Sequence, residues 1–167
     1  MDSKPSVQHI GILGFGRFGQ LLAEYLSKDF EVLVSSHSKD ANTVAASGAL
    51  LASLEEVCAC DLVIPSVPIS AFEQTIERIA PLVNTSVVVD VCSVKEYPVE
   101  VMEQHLDSST GILATHPMFG PDSAGDSVVG QKIVLHPVRI DHDLYSCITQ
   151  YLQRSEERRV GKECIVK

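Results

Sequence analysis

Six residues near the amino terminus have the spacing of a phosphate-binding turn. The run follows an apolar stretch, precedes apolar residues at helical spacing, and consists of Gly14, Phe15, Gly16, Arg17, Phe18 and Gly19. In such a strand–turn–helix the first glycine permits a tight turn, the second lets the backbone approach a pyrophosphate, and the third lets helix and strand pack closely. Free N–H groups at the start of the helix then bind the anion. We therefore predict that these six residues bind a dinucleotide cofactor.

The segment after the next predicted strand bears on which dinucleotide is bound. An NAD site usually places Asp or Glu about 20 residues beyond the glycine turn, where the carboxylate holds the ribose 2′-hydroxyl. This chain has no acid there and instead carries Ser36, His37, Ser38 and Lys39. Hydroxyl groups and a cation suit a 2′-phosphate, so NADP is the predicted cofactor. NAD is the alternative, because the segment would also serve as an ordinary polar loop.

The elements that must position these residues alternate between strands and helices. Apolar runs predict strands at His9–Leu13, Glu31–Ser35, Asp61–Ser66, Ser86–Asp90, Gly111–Thr115 and Lys132–Leu135. Helical periodicity predicts helices from Arg17 and at Ala41–Ser47, Ser53–Cys58, Ser70–Leu82, Pro98–Leu106 and Asp143–Leu152. This alternation predicts βαβ units, and hence an α/β, Rossmann-type, doubly wound fold with a mostly parallel sheet. Ser66, Val67 and Pro68 follow one of these strands, and we expect them to contact the ribose and nicotinamide of the cofactor.

Two later segments carry a family resemblance. They read DVCSVKE from Asp90 and THPMFGPDS from Thr115. Together with the glycine turn they resemble the prephenate/arogenate dehydrogenases of tyrosine biosynthesis, over roughly residues 8–153, and the arogenate-using, NADP-dependent branch most closely. The resemblance implies an oxidative decarboxylation. Hydride leaves the ring carbon that bears the 4-hydroxyl for the nicotinamide, and the ring carboxylate departs as carbon dioxide.

The resemblance assigns the chemistry to His116 and Ser93. The reaction needs a group that accepts or shares the hydroxyl proton as hydride leaves, and imidazole titrates near neutral pH. The family's catalytic histidine lies in the motif of His116, and Ser93 matches the serine that hydrogen-bonds this histidine or the substrate hydroxyl. Without the resemblance, His116 would equally be a loop histidine before a proline, and Ser93 a turn residue. Lys95 is interpreted as a loop or cap residue, with ordering of the substrate pocket as the alternative.

The last fourteen residues depart from the resemblance. Family members continue into another strand and an all-helical domain that forms the homodimer and supplies an arginine for the substrate carboxylate. Residues 154–164 instead read RSEERRVGKEC, which looks like translated sequencing-adapter DNA, although a charged helix end is the alternative. We therefore predict a dinucleotide-binding domain at 1–153 and a non-native tail at 154–167. The helical dimerisation domain is then absent, which leaves open whether the chain alone is active.

Composition restricts the classes of partner. The 167 residues carry a net charge of −9, and residues 154–167 contribute +2, which leaves −11 for residues 1–153 and argues against a nucleic-acid partner. The five cysteines lack zinc spacing, so we predict no metal and expect reduced thiols in a cytoplasmic protein. No apolar stretch approaches the roughly 20 residues that cross a bilayer. The expected partner is a small-molecule substrate, arogenate or prephenate.

Two other functions share the glycine turn. One is another two-domain NADP-dependent reductase, such as a pyrroline-carboxylate reductase, which would not be expected to carry HPMFGP after a strand. The other is a non-catalytic module that binds or senses a dinucleotide. Such a module gives no reason for the serine and histidine at Ser93 and His116.

Overall fold

The structure, a computed structural model, describes residues 7–84, 86–124, 128 and 130–157. Its strands are β1 (His9–Leu13), β2 (Glu31–Ser35), β3 (Leu50–Leu51), β4 (Leu62–Pro65), β5 (Val87–Asp90), β6 (Gly111–Pro117) and β7 (Ile133–Arg139). Its helices are α1 (Arg17–Leu26), α2 (Ala41–Ala45), α3 (Leu54–Cys58), α4 (Phe72–Ile79), α5 (Glu96–His105), α6 (Pro121–Ala124) and α7 (His142–Glu157). A short 3-10 turn precedes α4.

The strands form one sheet in the order β3-β2-β1-β4-β5-β6-β7. Strands β1 to β6 pair in parallel, and β7 runs antiparallel to β6. The order reverses between β1 and β4, and in open α/β sheets ligands bind outside the carboxyl ends of the strands at such a point. The predicted α/β, Rossmann-type fold with a mostly parallel sheet is confirmed, and the cofactor site is expected beside β1 and β4.

Two apolar layers cover the faces of the sheet. One layer packs α1 and α7 against the sheet through partly buried side chains such as Leu22 and Ile148. The other packs α3, α4 and α5 through side chains such as Phe72 and Met102, which are completely buried. Burial on both faces explains the continuous apolar runs of the parallel strands. In the described part of the chain, no helix combines the length and apolarity needed to span a membrane.

Sequence signals at the ends of two helices agree with the structure. The amide of Ser53 donates to Glu56 Oε2 at 2.8 Å and the amide of Glu56 donates to Ser53 Oγ at 3.2 Å, so a capping box begins α3 at the residue where the helix was predicted to start. Gly48 has φ +83° after α2, as expected for a glycine that ends a helix. The helix itself ends at Ala45, two residues before the predicted end.

The bounds of several other elements differ from the predicted ones, chiefly where pairing between distant strands sets them. Strand β3 has two residues, too few to show a periodicity, and was not predicted, nor was α6. The antiparallel ladder from Ile112↔Arg139 to Pro117↔Ile133 makes β6 and β7 longer than predicted and includes His116 in a strand. Helix α7 continues to Glu157, past the predicted domain boundary at residue 153. Residues 158–167 of the predicted tail lie outside the described residues.

Candidate active site

The glycine turn connects β1, α1 and the end of β4 by close backbone contacts. Gly14 has φ +92°, and its amide donates to the carbonyl oxygen of Ser35 at 2.9 Å. A Cβ atom at Gly14 would lie 2.5 Å from the Ser66 carbonyl oxygen, and one at Gly19 would lie 2.5 Å from the Gly14 carbonyl oxygen. Both positions therefore require glycine, for the turn and for the helix–strand approach respectively.

The start of α1 offers unoccupied hydrogen-bond donors. Gly16 is the N-cap residue, no side chain caps the helix, and its first turn carries no acid. By contrast, Asp40 and Ser53 accept backbone N–H groups at the starts of α2 and α3. A Cβ atom at Gly16 would meet no atom within 4 Å, so the space beside these donors is open. The start of α1 therefore fits an anionic pyrophosphate.

A cavity of about 520 Å³ lies next to this turn. Its wall combines the start of α1 with the segments after β4, β5 and β6. The predicted site residues in the wall are Gly16, Arg17, Phe18, Ser66, Val67, Pro68 and Ser93, and the remaining wall includes Cys92, Pro117 and Phe119. The fold thus brings three separate sequence motifs together at the carboxyl ends of parallel strands.

Some predicted site residues lie outside this wall. His116 is half-buried near the end of β6, and it does not line the cavity although Pro117 does. No hydrogen bond joins His116 to Ser93 among the described residues. The Phe15 side chain is 4% exposed and packs in the core, so this residue offers only backbone to a ligand. Ser36, His37, Ser38 and Lys39 lie at the end of β2, apart from the cavity.

The segment after His116 contacts the glycine turn through side chains. Arg17 forms a two-fold hydrogen-bonded ion pair with Asp122 of α6, and this contact lowers the pKa of the Asp122 carboxyl below its usual range. The rings of Phe18 and Phe119 lie 6.3 Å apart, centroid to centroid. These contacts lie beside the HPMFGP segment, of which Pro117 and Phe119 line the cavity. Asp122 was not predicted as a site residue, because only the fold brings it to Arg17.

A partly buried ion pair connects the segments that carry Ser93 and His116. Asp90 is completely buried, and its carboxylate accepts the amide N–H of Cys92 at 2.7 Å and a hydrogen bond from Lys95 Nζ. Lys95 also donates to the carbonyl oxygen of Thr115, whose hydroxyl donates to the Asp90 carbonyl oxygen at 2.7 Å. We call this group the β5–β6 clasp. Lys95 is the N-cap residue of α5, in agreement with its interpretation as a loop or cap residue, but its side chain forms this ion pair and makes no capping hydrogen bond. The ion pair was not predicted, although the acid that ends the VVVD strand lies only five residues before Lys95.

The segment that follows β2 has a cationic neighbour from another element. Arg78, in the last turn of α4, donates from Nη1 to His37 Nε2 at 3.0 Å. The nearest acid along the chain is Asp40, whose carboxylate accepts the amide of Thr43 at 2.9 Å and has its pKa lowered by that bond. Arg78 was not predicted because 41 residues separate it from His37.

The described cysteines are free thiols. Cys58 and Cys60 are buried, and burial raises the pKa of each thiol to about 11. Burial, together with the Asp90 charge, raises the pKa of Cys92 to about 12. These thiols are therefore protonated at neutral pH and are poor nucleophiles, although Cys92 lines the cavity. Cys164 lies outside the described residues.

A larger cavity of about 660 Å³ lies between α1, α7 and the sheet. Its wall is mainly apolar, with side chains such as Leu21, Tyr25 and Ile148. It contains neither the glycines of the turn nor Ser93. The smaller cavity is therefore the candidate active site, because only there do the polar motifs converge.

One carboxylate–histidine group offers metal-ligand atoms. Oxygen or nitrogen atoms of Glu73, Glu77 and His105 lie within 4.8 Å of one another. Tyr97 donates from its hydroxyl to Glu73 at 3.1 Å, and His105 Nε2 lies 3.4 Å from the same carboxylate. These contacts explain why the three side chains lie close together without a metal ion.

Comparisons with a family profile and with known proteins find related sequences. The family profile described as "Prephenate dehydrogenase, nucleotide-binding domain" matches residues 26–160. Arogenate dehydrogenase 2, chloroplastic, of Arabidopsis thaliana is 34% identical over 145 residues, which cover 82% of this chain and 40% of that protein. A probable arogenate/prephenate dehydrogenase of Methanocaldococcus jannaschii is 33% identical over 130 residues, 74% of this chain and 29% of that protein. The chain thus spans less than half the length of either relative.

A solved structure shows the same fold. The crystal structure of Synechocystis arogenate dehydrogenase superposes with a TM-score of 0.74 at 23% identity, over 89% of this chain and 57% of that one. At this identity the superposition shows the fold alone, and the family assignment depends on the sequence matches.

Proposed function

The chain belongs to the prephenate dehydrogenase family, whose nucleotide-binding domain it carries, and from this premise we propose that it is the NADP-binding half of an arogenate or prephenate dehydrogenase. The family match favours this proposal over the alternative of a pyrroline-carboxylate reductase. The relatives are oxidoreductases by name, and a small-molecule substrate follows from that class. The predicted cytoplasmic location and the homodimer of the longer family members stay predictions.

The observation that carries this proposal is the convergence of motifs at the 520 Å³ cavity. The anion-binding start of α1, the Ser66–Pro68 segment and Ser93 meet at the carboxyl ends of β1, β4 and β5. A ligand that extends from the glycine turn toward Ser93 would pass along this wall. That path suits a dinucleotide whose pyrophosphate lies at α1 and whose nicotinamide approaches the substrate.

Each residue group has a role in this arrangement. The N–H groups at the start of α1 would hold the pyrophosphate, and Ser66, Val67 and Pro68 would contact the ribose and nicotinamide. The bound nicotinamide supplies the hydride acceptor. A neutral imidazole nitrogen of His116 accepts the proton of the substrate 4-hydroxyl as hydride leaves, and Ser93 orients that hydroxyl. The β5–β6 clasp positions the backbone that carries Ser93 and His116.

The proposed cofactor preference predicts that the chain binds NADPH more tightly than NADH. No carboxylate is available at the end of β2 for a ribose 2′-hydroxyl, because that of Asp40 is engaged at the start of α2. Cationic and hydroxyl side chains there favour a 2′-phosphate instead. Isothermal titration calorimetry of the chain with each nucleotide measures the two affinities. Tenfold tighter binding of NADH would refute the preference.

The proposed chemistry predicts that His116→Asn removes most of the dehydrogenase activity. The test uses a chimaera in which residues 1–153 are joined to the part of a family member that this chain does not match. Formation of NADPH from NADP with arogenate or prephenate is followed by absorbance, and NADPH affinity is measured in parallel. Asparagine cannot take up the hydroxyl proton, so turnover should fall by about 10²-fold or more while NADPH affinity is kept.

Two outcomes of the chimaera experiment would contradict the proposal. Full activity of His116→Asn would remove the histidine from the chemistry. A folded chimaera that binds NADPH tightly but oxidises neither substrate would favour the non-catalytic dinucleotide-binding module. Residues 154–167 are left out of the chimaera because we propose that this tail is non-native.

A further inference from the structure

Arg78 lies beside the segment that the proposed function assigns to the cofactor's adenosine ribose. It is exposed in the last turn of α4, and its Nη1 atom lies 3.0 Å from Nε2 of His37. His37 is the second residue after β2. The guanidinium thus reaches the carboxyl end of β2 from an element on which no residue was predicted to bind cofactor.

The contact between Arg78 and His37 leaves the arginine charge without a counter-ion. A guanidinium has only donors, so His37 Nε2 is the acceptor of this hydrogen bond and brings no negative charge to it. Among the described residues no carboxylate forms an ion pair with Arg78. Arg17 and Lys95, by contrast, are each paired with an aspartate. Arg78 is therefore free to bind an anion without first breaking an ion pair.

The segment that carries His37 adds a second cation near Arg78. Lys39 is exposed in the same segment as His37, and no described residue forms an ion pair with it. The neighbouring Asp40 carboxylate accepts both the amide and the hydroxyl of Thr43, at 2.9 and 3.2 Å. In a chain with a net charge of −9, this end of β2 is a local concentration of unpaired cations.

The helix that carries Arg78 is fixed in the core. Ile76 and Ile79, which flank Arg78 in α4, are both completely buried in the layer under the sheet. The guanidinium is therefore presented from a rigid element, and little backbone entropy is lost when it binds a ligand.

We propose that Arg78 binds the 2′-phosphate of NADP, together with His37 and Lys39, and thereby determines the preference for NADP over NAD. This inference depends on the proposed function and specifies one residue of it. The phosphate replaces His37 Nε2 as the acceptor of the guanidinium N–H groups, which match phosphate oxygens in a two-fold hydrogen-bonded geometry. NAD has a hydroxyl at this position, so Arg78 gains no charged partner from it.

The test compares Arg78→Gln with the wild-type chain by isothermal titration calorimetry. NADPH and NADH report the intact cofactors, whereas 2′,5′-ADP and 5′-ADP isolate the phosphate from the nicotinamide. Arg78→Gln should weaken NADPH and 2′,5′-ADP binding about tenfold or more, the effect of losing a charge-assisted hydrogen bond, and change NADH and 5′-ADP less than about twofold. Lys28→Met, which removes an exposed cation beside Tyr25, is the matched control and should change none of the four affinities.

Each outcome decides between the inference and the proposed function. Equal weakening of NADPH and NADH by Arg78→Gln would overturn the role in specificity and place Arg78 against a part common to both cofactors. A wild-type preference for NADPH that survives Arg78→Gln would overturn the role of Arg78 alone. A wild-type chain without that preference would refute the proposed NADP dependence itself. Arg78→Lys keeps the positive charge but loses the planar, two-donor geometry of the guanidinium. Its NADPH affinity should therefore lie between those of the wild type and Arg78→Gln.

Discussion

Gly14 and Gly16 belong to the same turn but have opposite steric surroundings. Gly14 has a positive φ, and a side chain there would collide with the backbone of Ser66. Gly16 has φ −72°, which any residue adopts, and a side chain there would project into open space. The first glycine is therefore needed for the fold of the turn, and the second for the ligand that occupies that space.

At the residue scale this contrast predicts that Gly14→Ala lowers the stability of the fold, whereas Gly16→Ala mainly weakens cofactor binding. Gly14→Ala should lower the free energy of unfolding by more than about 2 kcal/mol, since a left-handed alanine alone costs about 1–2 kcal/mol. Gly16→Ala should change that free energy by less than about 1 kcal/mol. Its added methyl group should nevertheless weaken NADPH binding severalfold, because it fills the space that we assign to the pyrophosphate.

Urea unfolding followed by circular dichroism, with calorimetry of NADPH binding, measures both effects. A Gly16→Ala variant with wild-type NADPH affinity would contradict the assignment of the pyrophosphate to this turn.

At the scale of elements, the β5–β6 clasp adds a side-chain connection to the ladder of two parallel strands. Its carboxylate is completely buried, whereas the Lys95 side chain is 29% exposed. A buried charge is tolerated when it is paired and hydrogen-bonded, as Asp90 is by Lys95 and by the Cys92 amide. The clasp therefore fixes the spacing between the segment of Ser93 and that of His116.

Lys95→Met is predicted to lower the free energy of unfolding by about 3–5 kcal/mol, because it leaves the Asp90 carboxylate buried without a cation. The double variant Asp90→Asn/Lys95→Met should recover part of this loss, since the new amide still accepts the Cys92 N–H. Urea unfolding of the single and double variants measures both values, with Lys28→Met as the control for loss of a lysine. A Lys95→Met variant within about 1 kcal/mol of wild type would show that the clasp does not stabilise the fold.

The elements differ in how far the sequence predicts them. Strand β1, helix α1 and the capping box of α3 have signals within a few residues, and the structure agrees with them. The lengths of β6 and β7 depend on their mutual pairing, which no local pattern contains. The same reason accounts for Asp122 and Arg78 in the candidate site, whose partners Arg17 and His37 lie 105 and 41 residues away in sequence. Lys95 differs, because its partner Asp90 lies only five residues before it.

At the scale of the whole molecule, buried thiols should make the fold sensitive to alkaline pH. The pKa values of Cys58, Cys60 and Cys92 are raised in the folded chain to about 11, 11 and 12. An unfolded thiol titrates near about 8.5. Between these values the folded chain holds more protons than the unfolded chain, so the free energy of unfolding falls as pH rises from about 8.5 toward 11.

Urea unfolding at pH 7.5 and 10 measures this fall. A variant with alanine at the three cysteines is the control, because other groups also titrate in this range and only the difference in slope belongs to the thiols. The alanine variant should lose less stability than the wild type over the same interval. Equal losses would show that the thiols do not contribute to the alkaline sensitivity.

The strand order also sets a sequence of events for a chain that emerges from the ribosome with its amino terminus first. Strand β1 lies between β2 and β4, so the centre of the sheet closes once β4 has been synthesised, and β5, β6 and β7 then extend the free edge one after another. The close contact of Gly14 with Ser66 needs only the first 66 residues. The glycine turn can therefore form during translation before Ser93 and His116 have emerged. A nascent chain would then acquire the turn that we assign to the pyrophosphate before the residues that we propose to be catalytic.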